Sequence, residues 1–126
     1  MLPFKNRVTE YKMLTTKAAH QVSDKLFDFV FVDATHTYKA VKEDCKLWIP
    51  KLKDTGMLCG HDYCEAFDNG GIIKAANELG RFEVLPRGNN DLCNVDKVLN
   101  LLSQNKNVAD SQTGCWFIWK RNINEN

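Results

Sequence analysis

Residues 27–63 read FDFVFVDATHTYKAVKEDCKLWIPKLKDTGMLCGHDY, and the pattern is strand, helix, strand. Phe27–Val32 is aromatic and β-branched with one polar residue, Asp28, which predicts a parallel strand buried on both faces. From Thr37 to Leu52, Tyr38, Val41, Cys45, Trp48 and Ile49 recur at helical spacing and predict a face turned to the sheet. Pro50 should end or distort that helix. Asp54-Thr55-Gly56 reads as a turn into a second strand, Met57–Cys59. Each strand runs out into a polar cluster, Asp33-Ala34-Thr35-His36 and Gly60-His61-Asp62-Tyr63. In a parallel sheet those ends lie side by side, at the carboxyl edge where α/β proteins build their sites.

The flanks extend the alternation. Arg7–Met13 alternates and predicts a short strand, and Thr15 or Thr16 can cap a helix ending near Ser23-Asp24. Asp68-Asn69-Gly70-Gly71 is a loop into a helix over Ile72–Leu79, which Gly80 stops. It follows no strand and lacks phosphate-loop spacing, so it is a turn. Phe82–Leu85 is a strand closed by Pro86, and 86–94 is a loop. Val95–Leu102 is a short helix, Asn105–Thr113 a flexible polar loop, and Cys115–Lys120 a final strand before a frayed Asn-rich tail. Trp48, Trp116 and Trp119 are read as core. Strands alternating with helices predict an α/β sheet in a single domain, residues 1–126.

Composition narrows the function. The chain has 126 residues and a net charge of +1, so no global field selects nucleic acid or an anionic membrane. No apolar run is long enough to span a bilayer, and MLPFKNRVTE lacks the apolar core of a signal peptide. Five cysteines without a Cys-x-x-Cys pair suggest reduced thiols in a cytoplasmic setting rather than a disulfide framework or structural zinc.

Asp33 and Asp62 follow hydrophobic strands, where a carboxylate is costly in the core but can reach a cleft. Thr35 or Thr37 can cap the following helix, which frees Asp33. Two carboxylates at adjacent strand ends can share Mg²⁺. His61 as a third ligand would favour a transition metal, and hydrogen bonding to a loop carbonyl is its equally weighted alternative. His36 can serve as a general base on a substrate hydroxyl or can orient its loop. Tyr38 and Tyr63 can wall the cleft, or pack in the core or at the rim. His20 is a surface residue.

The quoted stretch, with GGIIKAANELG after it, resembles the class I S-adenosylmethionine-dependent methyltransferases, and within them a small-molecule subgroup. That subgroup has a strand ending in Asp-x-x-His-x-Tyr, a helix with a Trp, a Pro-Lys-Leu-Lys-x-Gly-Gly turn, and a strand ending in Gly-His-Asp-Tyr. Thr55 stands where the family usually has glycine. The resemblance runs from about Arg7 to Gly80 and returns at CWFIWK. It implies a partial Rossmann-like sheet, mostly parallel with an antiparallel last strand and helices packed on it, in which Met1–Met13 would be the third strand. It implies methyl transfer from S-adenosylmethionine to an O or N of a small molecule or sugar. It puts Asp33 and Ala34 at the cofactor, His36 as general base, and Asp33, His61 and Asp62 at Mg²⁺ or another divalent metal. Catechol-type enzymes have an acidic residue where His61 stands. The family's glycine-rich loop and ribose-binding acid have no counterpart here, so the resemblance implies the C-terminal half of such a domain: a truncated gene product, a half completed by a second chain or by self-association, or a chain that has lost cofactor binding. Two other readings stand beside it: a non-catalytic remnant or subunit that pairs through an exposed sheet, and a metal-dependent hydrolase using Asp33, His36, His61 and Asp62.

Overall fold

The computed structural model describes residues 5–87 and 94–124. Cys93, most of the 86–94 loop, Met1–Phe4 and the last two residues lie outside the described residues. Among the described residues five strands form one sheet: β1 (Phe27–Val32), β2 (Leu52–Gly60), β3 (Glu83–Leu85), β4 (Val108–Asp110) and β5 (Trp116–Trp119), in the order β1-β2-β5-β4-β3. β1 pairs parallel with β2, and β3 parallel with β4, while β5 runs antiparallel between β2 and β4. Four strands therefore share one direction and the last opposes them, as in a partial Rossmann-like α/β methyltransferase fold. The helices are α1 (Thr15–Ala18), α2 (Tyr38–Trp48), α3 (Gly71–Leu79) and α4 (Val95–Ser103).

One face of the sheet is closed. Val32, Leu58, Ala109, Trp116 and Ile118 pack there against Val41 and Cys45 of α2 and Ile72, Ala75 and Ala76 of α3. Gly60 is opposite Trp116 in the β2–β5 ladder, and a β-carbon at Gly60 would run into the indole. The glycine before His61 thus makes room for the largest fully buried side chain. Thr37 caps α2 by accepting from the Ala40 amide at 3.2 Å, which leaves Asp33 out of the cap. Pro50 sits in a 3-10 turn, Ile49–Lys51, that ends α2. Asp44 is also buried on α2 and accepts from Thr15 Oγ1 at 2.5 Å, while Trp48 Nε1 donates to the Thr15 carbonyl at 3.2 Å. These two bonds clamp α1 to α2.

Several sequence expectations are corrected. Arg7–Met13 is not a strand: after a 3-10 turn (Lys5–Arg7) it runs irregularly with Val8, Tyr11 and Met13 exposed, and no strand among the described residues pairs with it. β1 is not buried on both faces. It is an edge strand, and Phe29 and Phe31 are 51% and 46% exposed on the face opposite α2. Asp54-Thr55-Gly56 lies within β2, where the ladder jumps from Phe27↔Leu52 to Phe29↔Met57 and the strand bulges. Asn105–Thr113 is not all loop: β4 lies in it, wholly buried, because it fills the place between β3 and β5. Trp48 and Trp119 are half-buried; among the tryptophans only Trp116 is in the core. Through Asn124 the tail is anchored: Ile123 packs on the core, the Asn124 amide donates to the Leu79 carbonyl at 2.7 Å, and Lys120 Nζ donates to the Leu52 carbonyl at 2.6 Å. No helix among the described residues is long and apolar enough to cross a membrane.

Candidate functional site

Parallel pairing of β1 with β2 ends on Val32↔Gly60, so the next residues of each strand emerge together. His36 Nε2 lies 2.9 Å from Asp62 Oδ2 and 3.8 Å from Asp33 Oδ1, and His61 Nδ1 lies 3.1 Å from Asp62 Oδ1. Asp62 is the most enclosed of these, with a side chain 13% exposed, and each of its oxygens faces one imidazole. All four residues singled out in the sequence are brought into one cluster. Asp62 has φ +63, a left-handed conformation uncommon outside glycine, asparagine and aspartate. Its strain is held by the next amide, since Tyr63 N–H donates to the Gly114 carbonyl at 2.8 Å.

The histidines are oriented from outside the cluster. His61 Nε2 is 2.9 Å from the Thr113 carbonyl, which can only accept, so Nε2 carries the hydrogen. Nδ1 then faces the Asp62 carboxylate, and either a proton on Nδ1 or a cation shared by the two groups satisfies that contact. The His36 ring leans on Phe67, with centroids 4.5 Å apart.

Residues that the sequence reading passed over carry much of this arrangement. Asp110 is buried and takes three donors: Asn94 Nδ2 at 2.9 Å, the Gln112 amide at 3.1 Å and Thr113 Oγ1 at 2.9 Å. It thereby shapes the turn that presents the Thr113 carbonyl to His61. Gly114, at φ +79, lets that turn close against Asp62. An Asp followed three residues later by Thr-Gly is a turn signal, here set in a segment whose polar composition predicts only a flexible loop. Asp68 was another omission: its Oδ2 accepts from the Tyr38 amide at 2.7 Å, fixing the start of α2 just after His36. Tyr38 does not wall the cleft. Its hydroxyl donates to Glu78 while Lys42 donates to both, which holds the Glu78 carboxyl below its ordinary range and the Lys42 ammonium above its own. Tyr63 is core, its hydroxyl donating to Asn77 and its pKa raised by burial.

Asp33, His61 and Asp62 each offer one ligand atom, all within 4.8 Å of one another. Two ligands about 2.1 Å from an octahedral cation at right angles stand about 3.0 Å apart, close to the 3.1 Å of the His61–Asp62 contact. The Thr113 carbonyl on the far nitrogen of His61 is also the usual orienting partner of a metal-bound imidazole. The donor set therefore fits a divalent ion. Beside it, a cavity of about 380 Å³ opens along β1, lined by Val30–Ala34 together with Thr15, Asp44 and Trp48.

Residues 2–63 match a family model described as a methyltransferase domain. The match takes in Asp33, His36, His61 and Asp62 and supports a methyltransferase-like domain as the setting of this cluster. No curated protein and no solved structure gave a significant match.

Proposed function

We propose that this chain takes part in S-adenosylmethionine-dependent methyl transfer to an oxygen or nitrogen of a small molecule, with His36 as general base. The observation that carries this reading is the 2.9 Å His36 Nε2–Asp62 Oδ2 contact inside the stretch that matches the methyltransferase domain. With Nε2–H held by Asp62, Nδ1 of His36 is the ring nitrogen left to take the acceptor's proton. Asp62 keeps that tautomer and steadies the imidazolium formed. Asp33 and Ala34, on the wall of the β1 cavity, would contact the cofactor, and Val32 and Trp48 give it an apolar and aromatic surround. S-adenosylmethionine supplies the sulfonium methyl when bound. Asp33, His61 and Asp62 would hold a divalent ion, which would supply Lewis-acid polarisation of the acceptor hydroxyl. The rest of the rate enhancement is proximity and orientation. Isothermal titration of the chain with S-adenosylmethionine, followed by methyl-transfer assays over an acceptor panel, tests this. No heat and no transfer to any acceptor would end the claim of independent activity.

One observation favours a second reading, a subunit that pairs through its sheet. β1 is an edge strand with no Pro or Lys to blunt it and with Phe29 and Phe31 exposed. A monomer by light scattering at high concentration would refute self-pairing.

A further inference from the structure

We infer that the cavity between α4 and β5 is the acceptor pocket of the proposed methyl transfer, and that it takes a neutral, largely apolar ring rather than a sugar. This rests on the methyl-transfer reading and adds the substrate class.

The cavity measures about 290 Å³ and is walled by Val95, Leu99 and Leu102 of α4 and by Cys115 and Phe117. Val95 and Leu99 are 50% and 60% exposed, so α4 leaves apolar surface uncovered along its side. Two polar side chains reach the lining, Asp110 and Thr113, and they are bonded to each other. Asp110 already accepts on both oxygens from three donors, so it presents no open charge to a guest. A sugar, with hydroxyls all round, would leave polar groups unpaired against that lining, which disfavours it. An apolar cavity of about 150 Å³ holds benzene, so this one has room for a bicyclic ring.

The cavity is tied to the reactive cluster by shared residues. Thr113 lines it and holds His61 with its carbonyl. Phe117 is the register partner of Cys59, two residues before His61 in the chain. The same apolar row continues to Phe31, two residues before Asp33. One face of the sheet thus carries both an apolar bed and, at its carboxyl end, the acid/base groups. A ring seated on that bed needs only a hydroxyl or amine at its edge to offer the nucleophile.

The test uses the full chain, isotope-labelled for amide NMR, titrated with 2-naphthol as probe and methyl α-glucoside as comparison. The expected result is saturable shifts confined to residues 95–102 and 113–117 with 2-naphthol and none with the glucoside. Leu99→Glu, at an exposed position, should weaken 2-naphthol by roughly ten-fold or more, since it sets a carboxylate at the apolar wall. Equal response to the glucoside, shifts centred on Phe29 and Phe31, or no saturation would overturn the inference. Donor titration separates the two levels. Methyl transfer to a ring acceptor with an unchanged KM in Leu99→Glu would overturn the pocket and keep the methyl-transfer reading. Naphthol bound in the cavity, with no donor binding, would support the pocket as a ligand site and sink methyl transfer.

Discussion

Asp62 accepts at one oxygen from His36, 2.9 Å away, and meets His61 at the other, 3.1 Å away. Its left-handed backbone is held by the turn before β5, where the Gly114 carbonyl accepts from the next amide, Tyr63. A single carboxylate therefore meets two imidazoles that come from different strand ends, while the Thr113 carbonyl sets the tautomer of His61.

Asp62→Asn keeps the shape but can no longer hold both rings as acceptor. His36→Gln removes the base. Each should lower kcat for methyl transfer by about 10²–10⁴-fold with little change in donor binding. Initial rates beside donor titration check it, and a variant that loses donor affinity equally would point to a structural role instead.

Asp110 acts on the cluster through the turn it organises. Asp110→Ala leaves the Asn94, Gln112 and Thr113 donors without their acceptor, and should cost about 2–4 kcal/mol in urea unfolding. In the folded fraction the His61 ring NMR signals should shift, because the Thr113 carbonyl is no longer fixed. Unmoved His61 signals would show that the turn holds itself without the carboxylate.

Gly60→Ala places a methyl group against Trp116 in the closed face of the sheet. Overpacking of this kind costs about 1–3 kcal/mol. The expected outcome is a lowered thermal midpoint with a changed tryptophan emission. Gly70→Ala is the contrasting case: nothing lies near its β-carbon, and only its left-handed φ of +79 opposes the change.

Burial pushes the Cys45 thiol up to about 12, with the Asp44 carboxylate adding to the effect, and raises the Cys59 thiol for the same first reason. In the unfolded chain these thiols ionise near their ordinary value of about 8.5. The folded state keeps its protons above that value and the unfolded state does not, so stability falls as pH rises from there towards about 12 for Cys45. Below that window the two thiols contribute no pH dependence. Iodoacetamide at mildly alkaline pH should modify Cys64 and Cys115 well before Cys45 and Cys59, which peptide mass spectrometry would read directly.

The central β1–α2–β2 unit was legible because its signals are local. Phe27–Val32 appears as a strand with the same limits, Thr37 caps α2, and Pro50 ends it. β4 was not legible, since VAD is short and flanked by polar residues, and only its place between two strands buries it. Arg7–Met13 shows the converse: it alternates like a strand, but no strand among the described residues pairs with it. The structural roles of Asp44, Asp68 and Asp110 were not legible, because their partners, Thr15, Tyr38 and Asn94, are 29, 30 and 16 residues away.

The sequence alone determined that Asp33, His36, His61 and Asp62 share one edge of a parallel sheet. Strand periodicity and the crossover helix fix which ends meet. Only the tertiary structure decided that Asp62 stands between the two histidines, and that Thr113, which orients one of them, also lines an apolar cavity beside α4. Those outcomes depend on β4 and β5 closing against β2. Contacts across more than fifty residues of chain, such as the 2.9 Å His61–Thr113 bond, are set by packing rather than by local pattern.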